Sequence, residues 1–137
     1  RRWDTVCIVG WSHLGAWFLD NAHSSTVISF VPTALSRLAS RLYPVANDRW
    51  VRVIGPLNAT LREASDSEVD CDVLILDAAE PSMDNKVMSL ALGLATCETV
   101  VAIDHATTHH LLSIPDPLRV LDCPWFSQHP GHTHVNC

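Results

Sequence analysis

The chain has 137 residues, 47% of them hydrophobic and 18% charged, with a formal net charge of -6. This length and apolar content suffice for one domain that builds its own core without a structural metal. The acidic balance, with scattered lysine and arginine, excludes a nucleic-acid binder, because neutralising phosphates needs clustered cations.

Strand signals and helical segments alternate along the chain. Thr5 to Val9 is an aliphatic and β-branched run that leads into Gly10-Trp11-Ser12-His13-Leu14-Gly15. The two glycines occupy the first and third positions of G-x-G-x-x-G, the turn that rests a pyrophosphate on a helix N-terminus. Ser12 stands at the middle position, where the backbone must come closest to the phosphates. Thr26 to Phe30 reads as a second strand, followed by an amphipathic helix with Leu35, Leu38, Ala39 and Leu42 on one face. Trp50 to Ile54 reads as a third strand, and the segment 56–69 after it holds a short helical turn around Leu61 to Ala64. Asp72 to Leu76 reads as a fourth strand, and Asp84 or Asn85 can cap a helix whose Val87, Leu90, Ala91 and Leu94 form a stripe. Thr99 to Ile103 and Leu118 to Leu121 complete the set.

Continuous apolar strands alternating with helices predict an α/β, Rossmann-like fold: a doubly wound, parallel, six-stranded sheet with helices on both faces. The domain is expected over residues 1–122, with a His- and Pro-rich connector over 123–137. No apolar run reaches the ~20 residues of a membrane span, so no direct membrane insertion is expected, and the start lacks a signal-peptide layout. Mean hydropathy of +0.14 predicts apolar surface that a partner covers. Five cysteines form no C-x-x-C, and three lie in or beside expected strands, where a thiol acts as a small hydrophobe; a reducing cytosol fits that pattern. One sequon, Asn58-Ala59-Thr60, is present, though such triplets also arise by chance.

In a doubly wound sheet, ligands bind beyond the carboxyl ends of the strands. After strand two, where a dinucleotide site places an acid for the ribose, this chain has Ser29, Phe30, Val31 and Pro32. A serine holds a ribose hydroxyl less firmly than a carboxylate does. Asp77, Ala78, Ala79 and Glu80 follow strand four, and Asp104 and His105 follow strand five; paired acids there suit a divalent cation, a capped helix or a solvated cleft. His129, His132 and His134 near Cys123 and Cys137 match no established zinc spacing, and His109 and His110 read as exposed. Ser12 lies outside a G-x-S-x-G elbow, so no nucleophile has a base and no enzymatic carrier is expected.

These residues resemble the N-terminal nucleotide-binding lobe of the RCK family, the regulators of potassium conductance that include the Trk-type uptake regulators. The likeness rests on Gly10-x-Ser12-x-x-Gly15, on Val27-Ile28-Ser29-Phe30-Val31-Pro32 and on Val53-Ile54-Gly55-Pro56-Leu57-Asn58. It continues through Asp72-Val73-Leu74-Ile75-Leu76 with Asp84-Asn85, and through Val100 to Ile103 with Leu118 to Leu121. Ser12, Ser29, Val31 and Pro56 depart from the family pattern. The resemblance implies NAD(H) or ATP/ADP held by Gly10, Trp11, Ser12, His13, Leu14, Gly15, Ser29, Phe30, Asn58, Asp77 and Ala78, with no catalytic residue and no metal ligand. It also implies a cytoplasmic homodimer or larger ring at the inner face of a membrane, gating a potassium channel or transporter subunit. A second resemblance is to class I S-adenosylmethionine-dependent methyltransferases. It rests on Cys71-Asp72-Val73-Leu74-Ile75-Leu76-Asp77 and the later Asp104-His105, which look like the strand-four acid and the Asp-Asn pair of the metal-dependent O-methyltransferases.

Overall fold

A computed structural model describes residues 3–10, 14–22, 24–33, 48–104 and 119–122. Its strands are β1 (Thr5–Val9), β2 (Thr26–Val31), β3 (Trp50–Ile54), β4 (Cys71–Asp77), β5 (Ala95–Asp104) and β6 (Arg119–Asp122). The helices are α1 (Leu14–Asn21), α2 (Leu57–Asp66) and α3 (Asn85–Leu92). The strands form one sheet in the order β3-β2-β1-β4-β5-β6, and every neighbouring pair is parallel. This is a Rossmann-like α/β arrangement, and its order reverses at β1, between β2 and β4.

Side chains alternate across a strand, so a strand buried on both faces must be apolar at every position. β1 divides its residues accordingly. Cys7 and Val9 enter one core with Leu74, Leu76, Val101 and Ile103; Val6 and Ile8 enter the other with Val73, Ile75 and Ala102. Helices cover both faces. Leu57 and Leu61 of α2 and Val87, Met88 and Ala91 of α3 close the first core, while Phe18 and Leu19 of α1 close the second. Burying a side chain such as Phe18 contributes about 1.5–3 kcal/mol.

The helix boundaries follow from local chemistry. Asp84 caps α3, its Oδ1 accepting the Val87 amide at 2.8 Å, as the sequence predicts. Leu90 is half-buried rather than central to the stripe, and Leu94 lies beyond the helix end, buried beneath the start of β5. The expected single turn at Leu61 to Ala64 is a ten-residue helix, α2. Pro56 starts it and Ser67 ends it; the Val69 amide returns to the Ala64 carbonyl, and Glu68 takes φ +58°. That pairing is a Schellman ending with glutamate where glycine is usual. Arg49 donates to the carbonyl of Leu19 in the last turn of α1 and, just beyond the helix, to those of Ala22 at 2.9 Å and Ser25 at 3.2 Å. Asp72 Oδ2 accepts the amides of Asp4 and Thr5, fixing the start of β1 to β4.

Strand limits differ modestly from expectation. β5 begins at Ala95, four residues early, because Cys71 pairs with Ala95 before an irregularity in the ladder between Cys71 and Val73. The helix expected at Leu35 to Leu42 and the connector at 123–137 lie outside the described residues.

The reading of the cysteines as buried thiols is corrected. Cys7 and Cys71 form a disulfide, with Cα atoms 5.8 Å apart, and Cys97 is disulfide-bonded as well. Adjacency of β1 and β4 brings the first two together although they are 64 positions apart in sequence.

Candidate functional site

Because all strands run the same way, their carboxyl ends share one edge, and the site is built there. β1 ends at Val9, and Gly10 turns away with φ +92° while its amide donates to the Phe30 carbonyl at 3.0 Å. A side chain at Gly10 has no room: a Cβ atom there falls 2.8 Å from Asp77 Cβ and 3.4 Å from Glu80 Cβ. Both its dihedral and its neighbours therefore demand glycine. Gly15 is constrained less severely: a Cβ there falls 2.7 Å from Ile8 Cδ1, the end of a side chain that can shift. It lets α1 lie close on β1, the role of the last glycine in the fingerprint. Trp11, Ser12 and His13 lie outside the described residues, as does the side chain of Leu14.

Two acids sit against this turn. Asp77, 6% exposed, closes β4 and accepts the Ala79 amide on Oδ1 at 3.0 Å. Glu80, 9% exposed, accepts the Ser82 hydroxyl on Oε1 at 2.9 Å. In the ladder between β4 and β5, Asp77 stands opposite Asp104, the last residue of β5. The neighbouring strands β4 and β5 thus both end in aspartate.

Beside the turn, a cleft of about 530 Å³ opens between the ends of β2 and β3 and the first turns of α2 and α3. Pro32, Thr33, Pro56 and Asn58 form one side, and Ser82, Asp84 and Lys86 lie on the other. Its size falls in the range of small-molecule sites. Asn58 was expected from sequence, whereas Thr33 and Lys86 were not. Asp84 fixes where α3 begins and so puts Lys86 on its first turn, whereas Thr33 follows the end of β2.

The remaining expected residues are buried. Ser29 is buried two positions before the end of β2, and its hydroxyl accepts the Trp50 indole N–H at 2.8 Å. Phe30 is 1% exposed in the core, and Ala78 belongs to the same core. β2 runs on to Val31, so the strand exit is Val31-Pro32, both buried. Among the described residues of this exit, none is a carboxylate. Among the described residues, no three His, Cys, Asp or Glu side chains group to hold a metal; His105 and the later histidines lie outside them. No described helix is long and apolar enough to cross a membrane.

Compared with protein-family models, with curated proteins and with solved structures, the chain matches none.

Proposed function

We propose that the chain is a ligand-binding lobe of class I methyltransferase type that takes S-adenosylmethionine at the carboxyl edge of its sheet. The observation that carries this reading is the pair of strand-end aspartates: Asp77, beneath the Gly10 turn, and Asp104 opposite it in the ladder. Glu80 and Asp84 add negative charge at the same edge, and Lys86 is the basic residue lining the cleft. Charge sign then discriminates between ligands. NAD and ATP bring polyphosphate to the middle of such an edge, and carboxylates there repel it. S-Adenosylmethionine brings a sulfonium cation, which the same carboxylates attract. Its adenosine half suits the cleft, where the exposed Asn58 offers hydrogen bonds between Pro32 and Pro56. The fit is incomplete at the ribose, because Val31 and Pro32 supply no acid, and affinity is correspondingly reduced. The bound cofactor supplies an electrophilic methyl group, while the chain's own residues hold and orient it.

The test is calorimetric titration of S-adenosylmethionine, S-adenosylhomocysteine, NAD, NADH, ATP and ADP, with and without magnesium, checked by thermal unfolding. Stabilisation by a ligand at 100 times its Kd is about 2.7 kcal/mol. The expected outcome is saturable binding of S-adenosylmethionine that weakens in Asp77→Asn, a change that keeps the Oδ1 acceptor for Ala79 and removes the charge. Binding of NAD or ATP instead supports an RCK-like regulatory lobe of potassium transport. Silence across the panel defeats both.

A further inference from the structure

Two sets of observations bear on the chain's covalent chemistry. The first is the cysteines. Cys7 and Cys71 are 0% and 1% exposed and joined across β1 and β4 inside the core, and Cys97 is also disulfide-bonded. Disulfides of this structural kind form and persist in oxidising compartments, where secreted and luminal proteins mature. The second is the only sequon of the chain, Asn58-Ala59-Thr60. Asn58 is exposed, on the first turn of α2 just after Pro56, at the surface rather than in the core. A sequon acts only where the glycosylating machinery meets it, and that machinery shares its compartment with disulfide formation. Each observation alone is weak: triplets arise by chance, and a sequon in a reducing compartment is inert. Their coincidence in one chain is informative, because the disulfides report the environment that the sequon requires.

We propose that Asn58 is an N-glycosylation site, filled as the chain matures in an oxidising compartment. In the step itself, Asn58 Nδ2 forms a bond to C1 of an oligosaccharide carried on a lipid pyrophosphate. The C1–O bond to the pyrophosphate breaks, the lipid pyrophosphate leaves, and the amide gives up one proton. Transfer meets the chain before or during folding, so the partial burial of Thr60, whose hydroxyl bonds the Pro56 carbonyl in the folded helix, does not oppose it. The folded product tolerates the sugar because Asn58 is open to solvent. Asn58 also borders the cleft, so the glycan stands at its mouth. The glycosylated chain accordingly binds a cleft ligand more weakly than the unmodified one. The modification does not depend on the ligand reading.

The experiment isolates the full-length protein from its native cells with thiols trapped by alkylation at lysis. Peptides are mapped after peptide N-glycosidase treatment in heavy-oxygen water. The expected result is conversion of Asn58 to a labelled aspartate, with Cys7 and Cys71 recovered as a linked peptide pair. Expressed in the same cells, Asn58→Gln loses the glycan and Thr60→Ser keeps it, which separates loss of the sequon from misfolding. Recovery of Asn58 as the unmodified amide, or alkylation of Cys7 and Cys71 at lysis, overturns the proposal. Glycan on Asn58 of the native protein, with no cofactor binding by the unmodified wild-type chain produced without glycosylating machinery, leaves the modification standing and defeats the ligand reading; cofactor binding with bare Asn58 in the native protein does the reverse.

Discussion

Removing the bridge between Cys7 and Cys71 tests the core of the fold directly. Replacing both residues with alanine deletes the cross-link without burying a new polar atom, and leaves Cys97 bonded as before. The link closes a loop across a sequence separation of 64, for which the chain-entropy relation gives about 4.3 kcal/mol at 25 °C. Losing two buried sulfur atoms adds on the order of 1 kcal/mol each, by analogy with deleting a buried methyl group. Residual structure in the unfolded chain subtracts from the entropic part, and measured losses are typically about 2–4 kcal/mol. The expected net loss is therefore about 4 kcal/mol, against a total of about 5–15 kcal/mol for a domain of ordinary stability. Urea unfolding followed by circular dichroism reads this as a lower midpoint. The slope m should rise at the same time, because the unfolded chain without the link exposes more surface. A loss below about 1 kcal/mol with an unchanged m refutes the reasoning, since it means that the cross-link does not restrain the unfolded chain.

Two further substitutions probe the backbone. Gly10→Ala forces a left-handed φ of +92° on an L-residue and places its Cβ 2.8 Å from Asp77 Cβ; strain of about 1–2 kcal/mol and overpacking of about 1–3 kcal/mol lower the unfolding free energy by about 2–5 kcal/mol in urea. Glu68→Gly relieves the φ of +58° at the end of α2 and is expected to raise stability by about 0.5–1 kcal/mol, read as a higher melting temperature; a lower one means that the glutamate side chain supplies more than its strain costs.

The sheet was readable from sequence because its central strands carry their burial in every residue. Val6-Cys7-Ile8-Val9 and Val73-Leu74-Ile75-Leu76 have no polar position, and only a strand covered on both faces needs that. Gly10 and Gly15 were readable because the turn itself calls for them, Gly10 through its φ of +92° and Gly15 through its approach to Ile8. The end of β2 was less so. Ser29 looked like an exit residue because it is the polar position in an apolar run, yet the Trp50 indole, presented by the next strand, consumes its hydroxyl. That partner lies 21 positions away, so no local pattern announces it. The disulfide was hidden similarly. Cys7 and Cys71 fit the profile of buried hydrophobes equally well, and only the adjacency of β1 and β4 turns two buried thiols into a bond.

The charges along the edge carry information that the scaffold does not. A parallel sheet fixes where each strand ends, so an acid at a strand terminus meets a set part of any ligand lying across the edge. At the end of β2, where an acid engages ribose, this chain is apolar and buried. At the ends of β4 and β5, where the middle of the proposed ligand would lie, it places aspartates on adjacent strands. Two unit charges about 5 Å apart interact by about 3 kcal/mol at an effective dielectric constant of 20, so one carboxylate can shift affinity by about two orders of magnitude in either direction. A missing ribose hydrogen bond to a charged group costs about 1.5–3 kcal/mol and weakens every nucleoside ligand alike. The aspartates act differently, because their effect changes sign with the ligand. On the proposed reading, selectivity at this edge is set by the ends of β4 and β5, and the exit of β2 sets only how tightly the chosen ligand is held.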